Sequence, residues 1–248
     1  MDASEFYTGL VADLYAPLRG TVTDVAPYAQ FINGFGEPAL ELGCGDGEPL
    51  LDLREMGLDV EGLDSSADML DRCRIEAVMR GVDVELHHAS MADFHLPRRF
   101  KSIFIAGPTF NLLPDDDVAL AGLQRIREHL DDNGGALIPL FIPKPTPESA
   151  LGEFREKDGD DGATLRFAAL NETRDEGARV QTSMLRYERV INEETEALER
   201  PWVLHWHTQD GFRTLAAAAG LTVAAVLDSS GKAATPDAEA FVFVLTPG

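Results

Sequence analysis

The chain has 248 residues, enough for one α/β domain with a sizeable core, and no stretch approaches the ~20 apolar residues of a membrane span. A net charge of −22, with lysine only at Lys101, Lys144, Lys157 and Lys232, repels phosphate backbones and anionic lipid, arguing against DNA, RNA or a membrane as partner. Asp2 and Glu5 stand where a signal peptide would carry basic residues, and the only cysteines, Cys44 and Cys73, fall in a glycine turn and a predicted helix, so a cytoplasmic protein without disulfides is expected.

Residues 3–33 read as one or two amphipathic helices, with Phe6, Leu10, Val11, Leu14 and Tyr15 at helical spacing and Pro17, Gly20 and Pro27 as punctuation. Strands and helices then alternate. Strand 38–42 leads to helix 47–56, strand 58–63 to helix 66–80, and strand 83–88 to a loop over 89–99. Strand 102–106 leads to helix 115–130, capped near Asp115 and stopped by Gly134-Gly135, and strand 136–142 follows. This alternation predicts a parallel, doubly wound sheet. Pro143, Pro145 and Pro147 mark the exit from the core, and the acidic stretch 148–162 reads as a surface helix or loop. Runs 163–170, 178–191 and 196–207, turning at Glu176-Gly177 and Asn192-Glu193-Glu194, predict an inserted antiparallel β meander. Helix 209–219 and strands 221–228 and 239–246 complete the core.

The chemistry concentrates at Glu41-Leu42-Gly43-Cys44-Gly45-Asp46-Gly47-Glu48, a strand opening into a glycine-rich turn. Glycine allows positive φ and close approach of a nucleotide-like ligand. Asp46 and Glu48 oppose a dinucleotide's pyrophosphate, and the third glycine of a dinucleotide fingerprint would fall on Glu48. A nicotinamide dehydrogenase is therefore disfavoured against a cationic, phosphate-free nucleoside. Asp64 ends the next strand about 20 residues after the turn, where an acid can accept both ribose hydroxyls.

Together with Ser65-Ser66-Ala67-Asp68-Met69-Leu70, these motifs resemble class I S-adenosylmethionine-dependent methyltransferases of the small-molecule type, over roughly residues 38–142. The resemblance implies a Rossmann-like seven-stranded sheet whose last strand is antiparallel, carrying the antiparallel meander as an insert. The expected organisation is a single methyltransferase domain over 1–248: a helical cap at 1–37, a cofactor-binding core at 38–147, a loop and insert at 148–207, and the rest of the core sheet at 208–248. S-adenosylmethionine is the implied cofactor and S-adenosylhomocysteine the product. Ligands in such sheets lie beyond the carboxyl ends of the strands. That rule selects Glu41, Gly43, Cys44 and Gly45 beside the methionine part, Asp64 and Ser65 at the ribose, Met69, Ser90, Met91 and Ala92 around the adenine, and Ala106 and Phe110 near the methyl. Ser90 stands where the family carries an acid; Asp93 is the alternative partner for the base. Tyr7 and Tyr15 are weaker candidates from the N-terminal helix.

For a general base, His205 and His207 share one face of the last meander strand, with Trp206 on the other. Two histidines at this spacing also match half of a metal site, but the sequence places no third ligand and no metal is expected. The expected function is methyl transfer to an amine or hydroxyl of a small molecule. N-methylation is favoured because an amine need only be neutral, and because residues 86–100 loosely resemble bacterial N-methyltransferases of sugar amines. The alternatives are O-methylation, and a cofactor-binding regulatory or cyclase-like protein that transfers no methyl.

Overall fold

The structure, a computed structural model, describes residues 3–20, 23–159 and 161–248. Parts of the expected cap (residues 1, 2, 21 and 22) and one residue of the acidic stretch lie outside them.

Three helices precede the first strand: α1 (Ala3–Phe6), α2 (Leu10–Arg19) and α3 (Ala26–Phe35). The core then runs β1 (Ala39–Leu42), α4 (Leu50–Glu55), β2 (Val60–Asp64), α5 (Ala67–Arg80), β3 (Leu86–His88), β4 (Phe100–Phe104), α6 (Asp116–His129) and β5 (Leu130–Phe141). The meander is β6 (Arg155–Asp158), β7 (Thr164–Asp175), β8 (Val180–Ile191) and β9 (Glu194–His205), and the core closes with α7 (Gln209–Ala218), β10 (Leu221–Leu227) and β11 (Ala240–Pro247).

The core sheet has seven strands in the order β10-β11-β5-β4-β1-β2-β3. β11 runs antiparallel between β10 and β5, and the pairs from β5 to β3 are parallel, as the sequence patterning requires. β1 is buried along its whole length, and its leucines, with Phe100, Ile103, Ile138 and Phe243, build the main core. Ser66 and Asp115 cap α5 and α6, each accepting from a backbone amide three residues on.

Two expectations are corrected. Gly134-Gly135 do not stop α6, which already ends at His129; they lie in β5, where a register shift separates the pairs Phe100–Leu130 and Ser102–Gly135. Glycine is needed there for space, since a Cβ on Gly135 would lie 2.5 Å from the Phe35 ring. The acidic stretch before the meander also contributes a strand. β6 pairs with β7, so the second sheet has four strands in the order β6-β7-β8-β9. Its exposed residues alternate charge rather than hydrophobicity and carry no period-2 signal.

α1 and α2 pack on the meander: Leu10 and Leu14 of α2 meet Ala163 and Leu165, while Phe6 of α1 and Val11 of α2 meet Leu185. The cap is also stitched to the start of α5. Ser66 Oγ donates to the Tyr7 carbonyl at 2.6 Å, and the Gly9 amide donates to Asp68 at 2.7 Å. Asn111, in a 3-10 turn over Thr109–Leu112, donates to the carbonyls of Phe141 and His205, both at 3.0 Å. It thereby ties β5 to β9 beneath the site.

Candidate functional site

Two adjoining cavities open at the carboxyl edge of the core sheet. The first, about 410 Å³, is lined by Gly43, Asp64, Ser65, Ser90, Met91 and Val118, among others. These residues come from the ends of β1, β2 and β3 and the start of α6, as the strand-end rule requires. The second, about 300 Å³, is lined by Tyr15, Arg19, Tyr28, Glu48, Ala106 and Trp202, among others. Tyr7, Thr109 and Leu112 belong to both and form the shared wall.

Asp64 organises the first cavity. Its Oδ2 accepts from the Gly45 amide at 2.8 Å and its Oδ1 from the Ser66 amide at 2.7 Å. Each oxygen keeps one lone pair for a ligand hydroxyl. Burial pushes its pKa up, and the amides of Ser66 and Gly45 oppose that shift. Gly43 adopts φ 74°, and a Cβ there would meet Thr109 Cγ2 at 2.8 Å, so glycine keeps the floor open.

Beneath the turn, Glu41 is fully buried and neither of its carboxylate oxygens has a hydrogen-bond partner among the described residues. Burial first, then the charges of Asp64 and Asp46, hold its pKa well above the usual carboxylate range. An uncompensated buried charge of this kind is costly unless a cation arrives nearby. Asp46 and Glu48 are both engaged by Arg19 of α2, so the turn's carboxylates are not the free charges that the sequence alone implies. Burial opposes the Arg19 cation, but these two acids outweigh it and its pKa is raised. The same guanidinium lies 5.3 Å from the Tyr15 ring, on the wall of the second cavity.

The expected site residues divide into three groups. Gly43, Asp64, Ser65, Ser90, Met91 and Tyr7 line the first cavity, and Tyr7, Tyr15 and Ala106 line the second. Glu41, Cys44, Gly45, Met69, Ala92 and Phe110 stand behind these walls: Cys44 and Met69 are buried, the Met69 methyl lies close under Gly45, and Phe110 packs against Phe212. Asp93 is not on a cavity wall, and its side chain is 84% exposed. The third group is His205 and His207, which line neither cavity. They do come together, with rings 4.6 Å apart, but not on one strand face, because β9 ends at His205 and His207 lies beyond it. Trp202 and Leu204, even-numbered on β9, face the second cavity, and period-2 alternation turns His205 to the back. There both histidines are buried, and Asp116 of α6 lies 3.5 Å from each. Burial, His205 and Arg179 lower the His207 pKa to about 4, against Asp116. The general-base role therefore has no geometric support.

Sequence reasoning did not single out Arg19, Tyr28 or Trp202 as site residues. Tyr28 accepts from the Gly107 amide at 3.3 Å through its hydroxyl, and burial raises its pKa. Trp202 had a signal in the aromatic-rich run ending the meander, but only topology brings that strand's face to the sheet edge.

Residues 39–134 match the family model described as a methyltransferase domain. Among characterised proteins, the dTDP-3-amino-3,6-dideoxy-alpha-D-glucopyranose N,N-dimethyltransferase of Streptomyces fradiae is 29% identical over 147 residues, covering 56% of this chain and 56% of its own length. The chain thus matches little more than half of that relative. The structure of the CcbJ methyltransferase from Streptomyces caelestis superposes with a TM-score of 0.77 at 22% identity, covering 98% of both chains. That of an SAM-bound amino pentose methyltransferase from Micromonospora echinaspora superposes with a TM-score of 0.69 at 22% identity, again over 98% of both. These likenesses extend the shared fold through the cap and the four-stranded sheet.

Proposed function

We propose that residues 39–134, which match a methyltransferase domain model, work as a class I methyltransferase domain, and that the protein is an S-adenosylmethionine-dependent N-methyltransferase of a small-molecule amine. One observation carries the reading. The Asp64 cavity, built for a ribose-bearing ligand, shares the wall of Tyr7, Thr109 and Leu112 with an aromatic second cavity. The residues present fit the cofactor. Asp64 has a free lone pair on each oxygen for the ribose hydroxyls, and Ser90 and Met91 stand where the adenine would lie. The unpartnered Glu41 carboxylate lies under the turn that would face the cationic methionine part. Bound there, S-adenosylmethionine supplies an electrophilic methyl on a sulfonium.

The chain's own contribution is placement and shielding. The tyrosines and Trp202 of the second cavity pack around the acceptor and keep water from its neutral nitrogen. Alignment of this kind supplies ~7–11 kcal/mol of a displacement barrier. Among the described residues no histidine lines either cavity, which favours an amine nucleophile that attacks neutral over a hydroxyl that needs a base. The Streptomyces fradiae relative methylates an amine nitrogen, in line with this choice. The charge of −22 speaks against nucleic acid as acceptor. We take the cap, core, insert and closing strands as one functional unit. The cysteines are free thiols, and no described helix is long and apolar enough to cross a membrane; both accord with work in the cytoplasm.

The test is to incubate the protein with S-adenosylmethionine and matched amino and hydroxyl sugars, measure S-adenosylhomocysteine, and locate the methyl by mass spectrometry and NMR. N-methylated products are expected. Products methylated only on oxygen overturn the amine assignment, and cofactor binding without any turnover across the panel favours the non-transferring alternative.

A further inference from the structure

The cluster on the far side of β9 has a chemistry that methyl transfer does not use. Asp116 sits in the first turn of α6, His205 ends β9, and His207 precedes Thr208, the cap of α7. Asp116 Oδ1 lies 3.5 Å from His205 Nε2 and 3.5 Å from His207 Nδ1, and one ligand atom from each of the three residues falls within 4.8 Å of the others. The imidazoles are 2% and 0% exposed. Asp116 Oδ1, His205 Nδ1 and both ring nitrogens of His207 lack a hydrogen-bond partner among the described residues. Buried polar atoms are rarely left so, and two of these four, Asp116 Oδ1 and His207 Nδ1, lie 3.5 Å apart without satisfying one another and ask for a common partner that His205 Nε2 can share.

We propose that Asp116, His205 and His207 form a binding site for a divalent first-row transition ion of the zinc type. Metal–ligand distances of about 2.0–2.2 Å in a tetrahedron place neighbouring ligand atoms about 3.3–3.6 Å apart, and both separations from Asp116 fall in that range. Two imidazoles with one carboxylate select zinc or a late transition ion over calcium or magnesium, which prefer all-oxygen shells. Arg179, at the start of the β8 hairpin arm, donates to the other oxygen of Asp116 and so turns Oδ1 toward the imidazoles. Its guanidinium also lies 3.4 Å from His205 Nε2, a contact that metal binding replaces. Its positive charge is met by Asp116 itself, with Asp115 and Asp117 on either side in sequence. Because the histidines line neither cavity, the ion acts as a clamp: it joins α6, which begins just past Pro114 of the first cavity, to β9, which carries Trp202 and Leu204 of the second.

The site is tested on the full chain, independently of methyl transfer. Chelator-treated protein is titrated with zinc chloride by calorimetry and with cobalt chloride by visible absorption, and melting is followed with and without zinc. One equivalent is expected to bind at about 10 μM or tighter, with the d–d bands of four-coordinate cobalt and a raised melting temperature. His207→Phe, which suits the neighbouring Phe110 and Phe212, and Asp116→Asn, whose side chain is half-exposed and spares the fold, are each expected to weaken binding at least tenfold. His87→Ala, in a separate group with Glu61 and Glu85, is expected to leave it unchanged. Wild-type binding weaker than ~100 μM, or binding untouched in the folded Asp116→Asn variant, overturns the proposal. Methyltransferase activity lacking altogether would refute the function proposed above and leave the zinc result standing.

Discussion

The Gly45 amide donates to Asp64 Oδ2 at 2.8 Å, so one carboxylate both fastens the glycine turn and faces the cavity it encloses. Asp64→Ala removes the acceptor proposed for the ribose together with this tie. Its affinity for S-adenosylmethionine is expected to fall more than tenfold by calorimetry while the protein remains folded. Asp64→Asn keeps one acceptor oxygen and should fall between the two. Unchanged affinity in the alanine variant would remove Asp64 from the ribose.

Glu41 reaches further into the energetics. Its folded pKa is raised above the ordinary 4.5, so between pH 4.5 and that raised value the folded state holds a proton that the unfolded state has released. Its contribution to stability is therefore full below pH 4.5 and is lost as pH climbs through the folded value. Glu41→Gln removes this loss. In the cofactor-free protein it should be more stable than wild type at neutral pH by about 1–3 kcal/mol, seen as a melting temperature several degrees higher. The gain should vanish below pH 4.5, and cofactor affinity should drop at neutral pH. A gain that is the same at pH 4 and pH 7.5 would contradict the ionisation argument.

Trp202 separates the two cavities functionally, because it lines the second and not the first. Trp202→Ala is expected to raise KM for an amine acceptor by tenfold or more while leaving the cofactor Kd within about threefold, consistent with an aromatic contact of ~1–2 kcal/mol lost from one ligand only. Parallel losses for both ligands would show that the wall is shared more widely than the geometry indicates.

The core sheet was legible because β1, β2 and β4 are largely buried runs and because α5, α6 and α7 start on side-chain caps. Asp64, Ser90 and Met91 reach the first cavity because each follows a strand end, a rule that needs no tertiary knowledge. The second cavity was far less legible. Ala106 was reached by the strand-end rule, but the cavity's other walls come largely from α2, α3 and β9, and which face of β9 meets the sheet edge is set by packing between Trp202, Leu204 and the cap. His205 and His207 do meet, though past the end of β9 rather than by alternation along it, and alternation is blind to inside and outside where both sides are buried, as Trp206 at 3% exposure shows. Asp116 could not be paired with them, lying about ninety residues earlier on another element. β6 was hidden for a simpler reason: its residues Arg155-Glu156-Lys157-Asp158 are all exposed and charged.

Gly135 tests the reading of the β5 register shift. A helix stop tolerates alanine with little loss when its backbone is not left-handed. A strand glycine pressed on an aromatic ring does not. With a Cβ at 2.5 Å from Phe35, Gly135→Ala must push that ring or bend β5, and overpacking of this kind costs about 1–3 kcal/mol. Urea melts should show a lower midpoint with an unchanged slope, and cofactor affinity should be unaltered because neither residue lines a cavity. Gly135→Ala combined with Phe35→Leu should recover part of the loss, since the smaller side chain makes room where the ring stood. Without that recovery the clash is not with Phe35, and the glycine is required for backbone conformation instead.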